Sequence, residues 1–199
     1  MISQPIDQKP IAETLTGQEG DNIIVPDDEV WYVTLDSRNM LAKIDPEGTV
    51  DADAFNWNRD QNSSTNIMPV VVPGGSAITI SWTDGSDHLR ISGWEISDLI
   101  KNDVVAHSIA DSEFITVPDN EVWNVRVTGR SVDYSIRPTD STSFTTASIR
   151  RSKNTSSSEQ VMLGGDEFGL SWTDSSNDRA YVSGFVVQTD YDGPGTVIV

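Results

Sequence analysis

The sequence predicts an all-β chain made of two tandem, internally duplicated β-sandwich domains, at residues 1–102 and 103–199. Three observations lead to this prediction. The two halves repeat the same blocks in the same order, short runs alternate apolar and polar residues, and Gly, Pro, Asn and Asp separate these runs. The length of 199 residues suits one large domain or two small ones.

The duplication rests on three ordered blocks. A Val-Pro-Asp turn followed by Glu-Val-Trp, a Gly-Gly pair leading to Ser-Trp-Thr-Asp, and a Ser-Gly-aromatic triplet each occur twice. The copies are 92 residues apart from Trp31 to Trp123 and 90 residues apart from Trp82 to Trp172. This period is far longer than the roughly 20–50 residues of a solenoid, so it indicates tandem domains.

The first strand of the repeated block predicts which face is inward. In the second copy the apolar phase contains Trp123, while the alternate positions are Asn124 and Arg126. We therefore expect Trp31 and Trp123 to point inward, and Asn124 and Arg126 to point to solvent.

The other strands follow in chain order, with about seven or eight in each copy. The Val-Pro-Asp segments have the composition of type I turns, and the Gly-Gly pairs tolerate positive φ. The stretch 97–108, the best helical candidate, is interpreted as a linker. The remaining predicted strands are 40–45, 54–58, 67–72, 77–82 and 88–96 in copy one, and 133–138, 144–151, 159–163, 168–172 and 180–187 in copy two.

Four repeated tryptophans are predicted to anchor the framework: Trp31, Trp82, Trp123 and Trp172. The glycine of each Ser-Gly-aromatic triplet is expected to make room for a facing ring. The alternative for Trp82 and Trp172 is a pair of ligand-binding aromatics.

The charge is strongly negative. The chain carries 22 Asp and 9 Glu against 9 Arg and 4 Lys, a net charge of −18. Such a surface repels phosphates, so nucleic acid is not an expected partner. Self-repulsion of this kind is screened at molar salt, where the Debye length is about 3 Å. The scarcity of lysine favours a halophilic origin, and an ordinary acidic protein is the alternative.

The sequence lacks the residues that several common kinds of catalytic and metal site require. The chain has no Cys and two His, which excludes disulfides and thiol catalysis and argues against zinc. No nucleophile elbow, metalloprotease motif or phosphate-binding loop occurs, and no carboxylate pair stands out for glycoside hydrolysis. We therefore expect no enzyme, no catalytic residue and no cofactor. His88 and His107 are expected to be solvated surface residues.

Aspartates in one turn offer a weak candidate for a structural calcium or other cation. Asp84 and Asp87 lie in the sequence Asp-Gly-Ser-Asp-His, and carboxylates are calcium ligands. The alternative is that both serve the turn itself, since Asp favours turns on backbone grounds.

The segments that differ most between the copies supply the interaction candidates, because specific contacts usually lie in variable loops on a shared scaffold. These candidates are Trp57, Asn58, Arg59, Arg150 and Arg151. The alternative is that they are ordinary solvated loops.

The Val-Pro-Asp/Glu-Val-Trp, Gly-Gly and Ser-Gly-aromatic pattern resembles small jelly-roll-like or β-sandwich modules of virion structural proteins. With the acidic, lysine-poor composition, it is most similar to those of viruses that infect halophilic archaea. The resemblance implies a capsid decoration, turret or spike component that is a homo-oligomer, with a trimer as the first expectation, and that contacts other virion proteins. It also implies a virion location. The start of the sequence has no basic region followed by an apolar stretch, which predicts no cleavable signal peptide, and no apolar run approaches the roughly 18 residues of a membrane span.

The main alternative is a tandem carbohydrate-binding or adhesion module with a host-surface glycan as partner, and a cell-envelope or S-layer component is the third. In the virion interpretation the four repeated tryptophans should be buried. In the sugar-binding interpretation exposed tryptophans should line one face.

Overall fold

The computed structural model describes residues 9–37, 40–46, 48, 55–59, 69–83, 88–96, 103–129, 132–139, 141–143, 145–149, 156–173 and 179–189. Side chains are not described for 55–59, 145–149, 156 and 188. All named regular elements within these ranges are β-strands.

Sixteen strands are described, and they divide into two sets of eight. Unit 1 contains β1 Pro10–Leu15, β2 Asn22–Ile24, β3 Val30–Asp36, β4 Met40–Asp45, β5 Phe55–Arg59, β6 Val70–Pro73, β7 Ala77–Thr83 and β8 Leu89–Ile96. Unit 2 contains β9 Val104–Ile109, β10 Phe114–Thr116, β11 Val122–Gly129, β12 Val132–Arg137, β13 Thr145–Ile149, β14 Ser156–Leu163, β15 Glu167–Thr173 and β16 Ala180–Gln188.

Both units have the same sheet topology. In unit 1 the strand orders are β1-β8-β3-β6 (sheet A) and β2-β7-β4-β5 (sheet B). In unit 2 they are β9-β16-β11-β14 (sheet C) and β10-β15-β12-β13 (sheet D), which is the order of unit 1 with every number raised by eight. The named strands pair antiparallel, and two four-stranded sheets in this order form a jelly roll. The predicted all-β sandwich class is therefore confirmed, whereas the internal duplication of the two units stays a prediction. The predicted boundary at residues 102 and 103 lies beside 97–102, outside the described residues, and stays a prediction.

Each unit has an apolar core to which both of its sheets contribute. In unit 1, Trp31 is 4% exposed and packs with Val33, Leu35, Ile78 and Ile80. The second core likewise contains Trp123, which is 5% exposed. The inward direction predicted for the Trp31 and Trp123 faces is thus confirmed.

The repeated turn blocks are adjacent in space. In unit 1 the amide N–H of Val25 donates to the Ser76 carbonyl, and that of Gly75 donates to the Val25 carbonyl, both at 2.9 Å. Gly75 has a φ of +80°, and a Cβ on Gly74 would lie 2.5 Å from the Asp27 carbonyl oxygen. The glycine pair is therefore required because the Val-Pro-Asp turn packs against its backbone.

Unit 2 repeats this arrangement. Gly165 has a φ of +81°, and a Cβ on Gly164 would lie 2.1 Å from the Asp119 carbonyl oxygen. The amides of Val117 and Gly165 make bonds equivalent to those of Val25 and Gly75. The first and second repeated blocks thus form one structural frame in each unit.

Four strands are absent from the sequence prediction: β1, β2, β9 and β10. The predicted linker 97–108 includes most of β9 Val104–Ile109. All four are edge strands, and their structure depends on pairing with β8, β7, β16 and β15 respectively. No helix in the described part of the chain is long and apolar enough to cross a membrane.

Candidate functional site: the tryptophan bulges and the junction between the units

The buried tryptophans are fixed by the glutamate two residues earlier. The Nε1 of Trp31 donates to Glu29 Oε2 at 2.7 Å, and that of Trp123 donates to Glu121 Oε2 at 2.6 Å. The Glu-Val-Trp sequence therefore supplies a buried indole together with the acceptor its N–H needs. These two tryptophans belong to the framework, as predicted.

Trp82 follows a β-bulge and does not point into the core. In the pairing of β4 with β7, Leu41 lies opposite Trp82 and Ala42 lies opposite Ile80, so Ser81 is the extra residue. The Ser81 hydroxyl donates to the Leu41 carbonyl at 3.2 Å. The bulge turns the Trp82 side chain away from the inward side of the sheet, on which Ile80 lies. As a result, 48% of the Trp82 surface is exposed.

Unit 2 has the same bulge. Asp133 lies opposite Trp172 and Tyr134 lies opposite Leu170, which leaves Ser171 as the extra residue. Its hydroxyl donates to the Asp133 carbonyl at 3.3 Å, and Trp172 is 40% exposed. The expectation that Trp82 and Trp172 are buried anchors is wrong, because the extra residue reverses the side-chain alternation before each of them.

Further apolar side chains are exposed on these sheets. On sheet B, Ile24 is 56% exposed, and on sheet D, Phe114 is 51% exposed. The Phe114 ring covers Gly169, where a Cβ would lie 2.3 Å from the ring. Sheets B and D therefore each present a large aliphatic or aromatic side chain in addition to the bulge tryptophan.

The Ser-Gly-aromatic block requires its glycine for a different reason from the one expected. A Cβ on Gly93 would lie 2.1 Å from the Tyr32 carbonyl oxygen, and one on Gly184 would lie 2.2 Å from the Asn124 carbonyl oxygen. The glycine is therefore needed for close approach to the backbone of the neighbouring strand, and not for a facing ring.

The two units meet where the free edge of β6 contacts the outer face of β16. The Tyr181 hydroxyl donates to the Val71 carbonyl at 2.8 Å, and the Val71 amide donates to Ser183 Oγ at 3.3 Å. Both bonds are buried. The side chains of unit 2 thereby satisfy backbone groups that an edge strand would otherwise expose.

The residues at the centre of this junction are buried. Tyr181 belongs to β16, yet its fully buried side chain packs in the core cluster of unit 1. Burial raises the pKa of the Tyr181 hydroxyl, which stays protonated and can donate its hydrogen bond. A second apolar cluster joins Val71 and Ile96 of unit 1 to Val104 and Phe185 of unit 2.

Arg126 also binds across the junction. Its guanidinium donates to the Pro69 carbonyl of unit 1 and forms an ion pair with Glu159. Its side chain is 12% exposed, so the expectation that it points to solvent is wrong. A cleft of about 110 Å³ lies beside it. This volume is below the roughly 300–1,000 Å³ of ordinary ligand pockets.

The two histidines have different environments. His88 is exposed, as predicted. His107 lies in β9, where its ring stacks on Trp123 with centroids 5.9 Å apart. His107 is still an exposed surface residue, as predicted, although the desolvation of its stacked ring lowers its pKa from the ordinary value. It differs from the prediction in its position, because it lies in a strand and not in a linker.

The other predicted site residues are only partly described. Trp57, Asn58 and Arg59 lie in β5, an edge strand of sheet B, so they are not in a loop, and their side chains are not described. Asp84, Asp87, Arg150 and Arg151 lie outside the described residues. Within the described ranges no group of three or more His, Asp or Glu is placed to hold a metal ion.

The sequence interpretation missed the junction residues Tyr181, Ser183 and Val71. One signal was present, since position 181 corresponds to position 90 in the first copy and the residue changes from Arg90 to Tyr181. A buried tyrosine in place of an arginine on an otherwise matched strand indicates a face that is covered in one copy only.

Comparison of the chain with known protein families, with curated proteins and with solved structures finds no match.

Proposed function

We propose that this protein is a non-enzymatic structural component of a virion, of the capsid decoration, turret or spike type. The observation that carries the proposal is the fusion of two jelly-roll units of identical strand order into one block through a buried junction. Jelly rolls occur in viral capsid proteins and in lectins, and the fold alone does not choose between them.

The surface favours an assembly role. The cleft at the junction is small, and the charged side chain beside it, Arg126, is already bonded to Pro69 and Glu159. The exposure of Trp82 on sheet B and Trp172 on sheet D does not meet the burial expected in the virion interpretation, but it places apolar side chains on sheet faces and not in a cleft. Sheet faces with isolated aromatic side chains suit contacts between proteins better than enclosure of a small substrate.

The test is to locate the protein in particles. Virus particles released from the source cells would be banded on a density gradient in molar salt, and their proteins would be identified by peptide mass spectrometry. We expect the chain to co-band with the particle at a fixed ratio to the major capsid protein, and antibodies against it to label intact particles. Recovery only in the particle-free fractions would contradict the proposal.

Carbohydrate binding is the second candidate, and the exposure of Trp82 and Trp172 favours it. A half-exposed indole offers an apolar face on which a neutral sugar ring can stack. Titration with neutral oligosaccharides should then shift the tryptophan fluorescence, and Trp82→Ala and Trp172→Ala should each reduce the shift. Ile24→Ala is the matched control, since Ile24 is exposed on the same sheet as Trp82 but is not aromatic. No shift at millimolar sugar would count against this candidate.

A further inference from the structure

Among the described residues, the junction inside the chain uses only half of the surfaces that the two matching units supply. It needs an edge strand, β6 of unit 1, and an acceptor face, which β9 and β16 of unit 2 form. Because both units have the same topology, unit 2 has its own edge strand, β14, and unit 1 has its own face, formed by β1 and β8.

The unused edge is exposed at the equivalent residue. Val71 lies opposite Tyr32 in the β3–β6 pairing, and Val161 lies opposite Asn124 in the β11–β14 pairing. Val71 is 2% exposed, since it is covered by unit 2, whereas Val161 is 66% exposed. Unit 2 therefore presents at Val161 the apolar edge residue that unit 1 buries.

The unused face has matching chemistry. Ser92 occupies the place of Ser183, and Ala12 occupies the place of Ala106. Trp94 corresponds to the junction residue Phe185 and is 47% exposed. The serine acceptor and the aromatic side chain of the internal junction are thus both present on unit 1.

One difference between the faces also fits a contact. Arg90 occupies the position of Tyr181 and is exposed. A guanidinium can donate to the Val161 carbonyl, as the Tyr181 hydroxyl does to Val71. Glu159 lies on the same strand, two residues from Val161, and its carboxylate pairs with Arg126 but is 65% exposed, so it can attract Arg90 as well.

We infer that copies of this chain associate head to tail. The β14 edge of one copy docks on the β1–β8 face of the next copy and repeats the contact that joins the two units within a chain. Such a heterologous contact generates a ring if its rotation closes and a filament if it does not. The inference rests on the proposed assembly role and adds the surfaces, the partner and the polarity of the contact.

The net charge of −18 opposes association at low ionic strength. Docking should therefore strengthen from dilute buffer to molar KCl, where repulsion beyond about 3 Å is screened. Light scattering on size-exclusion chromatography should give masses above the 21.8 kDa of one chain, rising with salt.

Two variants test the polarity. Val161→Glu damages the edge, and Trp94→Glu damages the face, while each leaves the other surface intact. We expect each variant alone to associate at least about tenfold more weakly than the wild type, as expected when a central contact residue is lost. Mixed in equal amounts, they should form a species of two chains that does not grow, because only one functional edge and one functional face remain per pair.

Ile24→Glu is the control, because Ile24 is also an exposed aliphatic residue but lies on sheet B, outside the proposed contact. Circular dichroism spectra that match the wild type would show that each variant is folded. Wild-type assembly by Trp94→Glu or Val161→Glu would overturn the inference, and so would a mixture that yields no two-chain species. A wild type that is monomeric in molar KCl would also overturn it, while the particle experiment would still decide the proposed function.

Discussion

The buried junction predicts how far the free energy of unfolding falls when the Tyr181 hydroxyl is removed. Tyr181→Phe keeps the ring that packs in the core of unit 1 but deletes the hydroxyl that donates to the Val71 carbonyl at 2.8 Å. Leaving a buried acceptor without this partner costs about 1–3 kcal/mol. Removing the whole ring in Tyr181→Ala should cost about 3–5 kcal/mol, the usual range for a buried aromatic side chain.

The loss should be measured as the free energy of unfolding in urea at a fixed molar KCl concentration. Hydrogen exchange read by mass spectrometry would locate it. Because Tyr181 is covalently part of unit 2 but packs in unit 1, exchange in β6 Val70–Pro73 should accelerate along with exchange in β16. Tyr134→Phe is the matched control, since the Tyr134 hydroxyl bonds only to Ser158 and Gln160 of unit 2 among its described hydrogen bonds.

Two results would refute this reasoning. The first is an unfolding free energy of Tyr181→Phe within about 0.5 kcal/mol of the wild type, the range of an inconsequential surface change. The second is accelerated exchange in β6 by Tyr134→Phe to the same extent, because the effect would then not be specific to the junction.

Two further predictions concern a turn and a histidine. Gly165→Ala should destabilise the protein more than Gly75→Ala in the same urea assay. Both positions have φ near +80°, so both variants carry the same backbone strain. A Cβ at position 165 would also lie 1.9 Å from Thr139 Oγ1, whereas the nearest atom to a Cβ at position 75 is 3.5 Å away. Equal losses would show that the contact with Thr139 relaxes freely. Desolvation lowers the pKa of His107 below 6.5, so the unfolded chain binds more protons than the folded chain between the two pKa values. The free energy of unfolding should therefore be fully present above pH 6.5 and fall as the pH drops towards the folded-state pKa. His107→Asn should reduce this loss between pH 7.5 and 5.5, whereas His88→Asn should not; equal effects of the two variants would contradict the assignment.

The sequence predicts the parts of the fold that local patterns control. Alternation identifies the inward face of Trp31 and Trp123, because in the second copy the opposite face is polar at Asn124. The turn blocks are also predictable, since Gly75 and Gly165 adopt the positive φ that favours glycine. These features depend on a few neighbouring residues and are therefore visible in one sequence.

The bulges are not predictable in this way. Ile80, Ser81 and Trp82 read as ordinary alternation, and only the partner strand shows that Ser81 is an extra residue. A change of register depends on the length of both strands, so Trp82 and Trp172 were assigned to the wrong face. The same limit applies to β9, which is a strand because β16 pairs with it.

Because the two units have the same strand order, comparing them position by position distinguishes residues that the fold needs from residues that make a contact. Residues of the turn frame, such as Gly75 and Gly165, recur because each unit needs them to close. Position 181 differs from position 90 because a neighbouring unit covers one of these faces and leaves the other open, which explains a tyrosine in one place and Arg90 in the other.

Trp82 and Trp172, which follow the bulges, are neither residues that the fold needs nor residues of the junction. Trp82 and Trp172 recur in both copies, yet 48% and 40% of their surfaces are exposed, so the requirements of the core do not explain them. A serine bulge that turns an indole outward twice in one chain gives up apolar burial within each unit. We therefore expect this exposed area to be recovered in a contact outside the chain, and acrylamide quenching of these two tryptophans should fall when the contact forms.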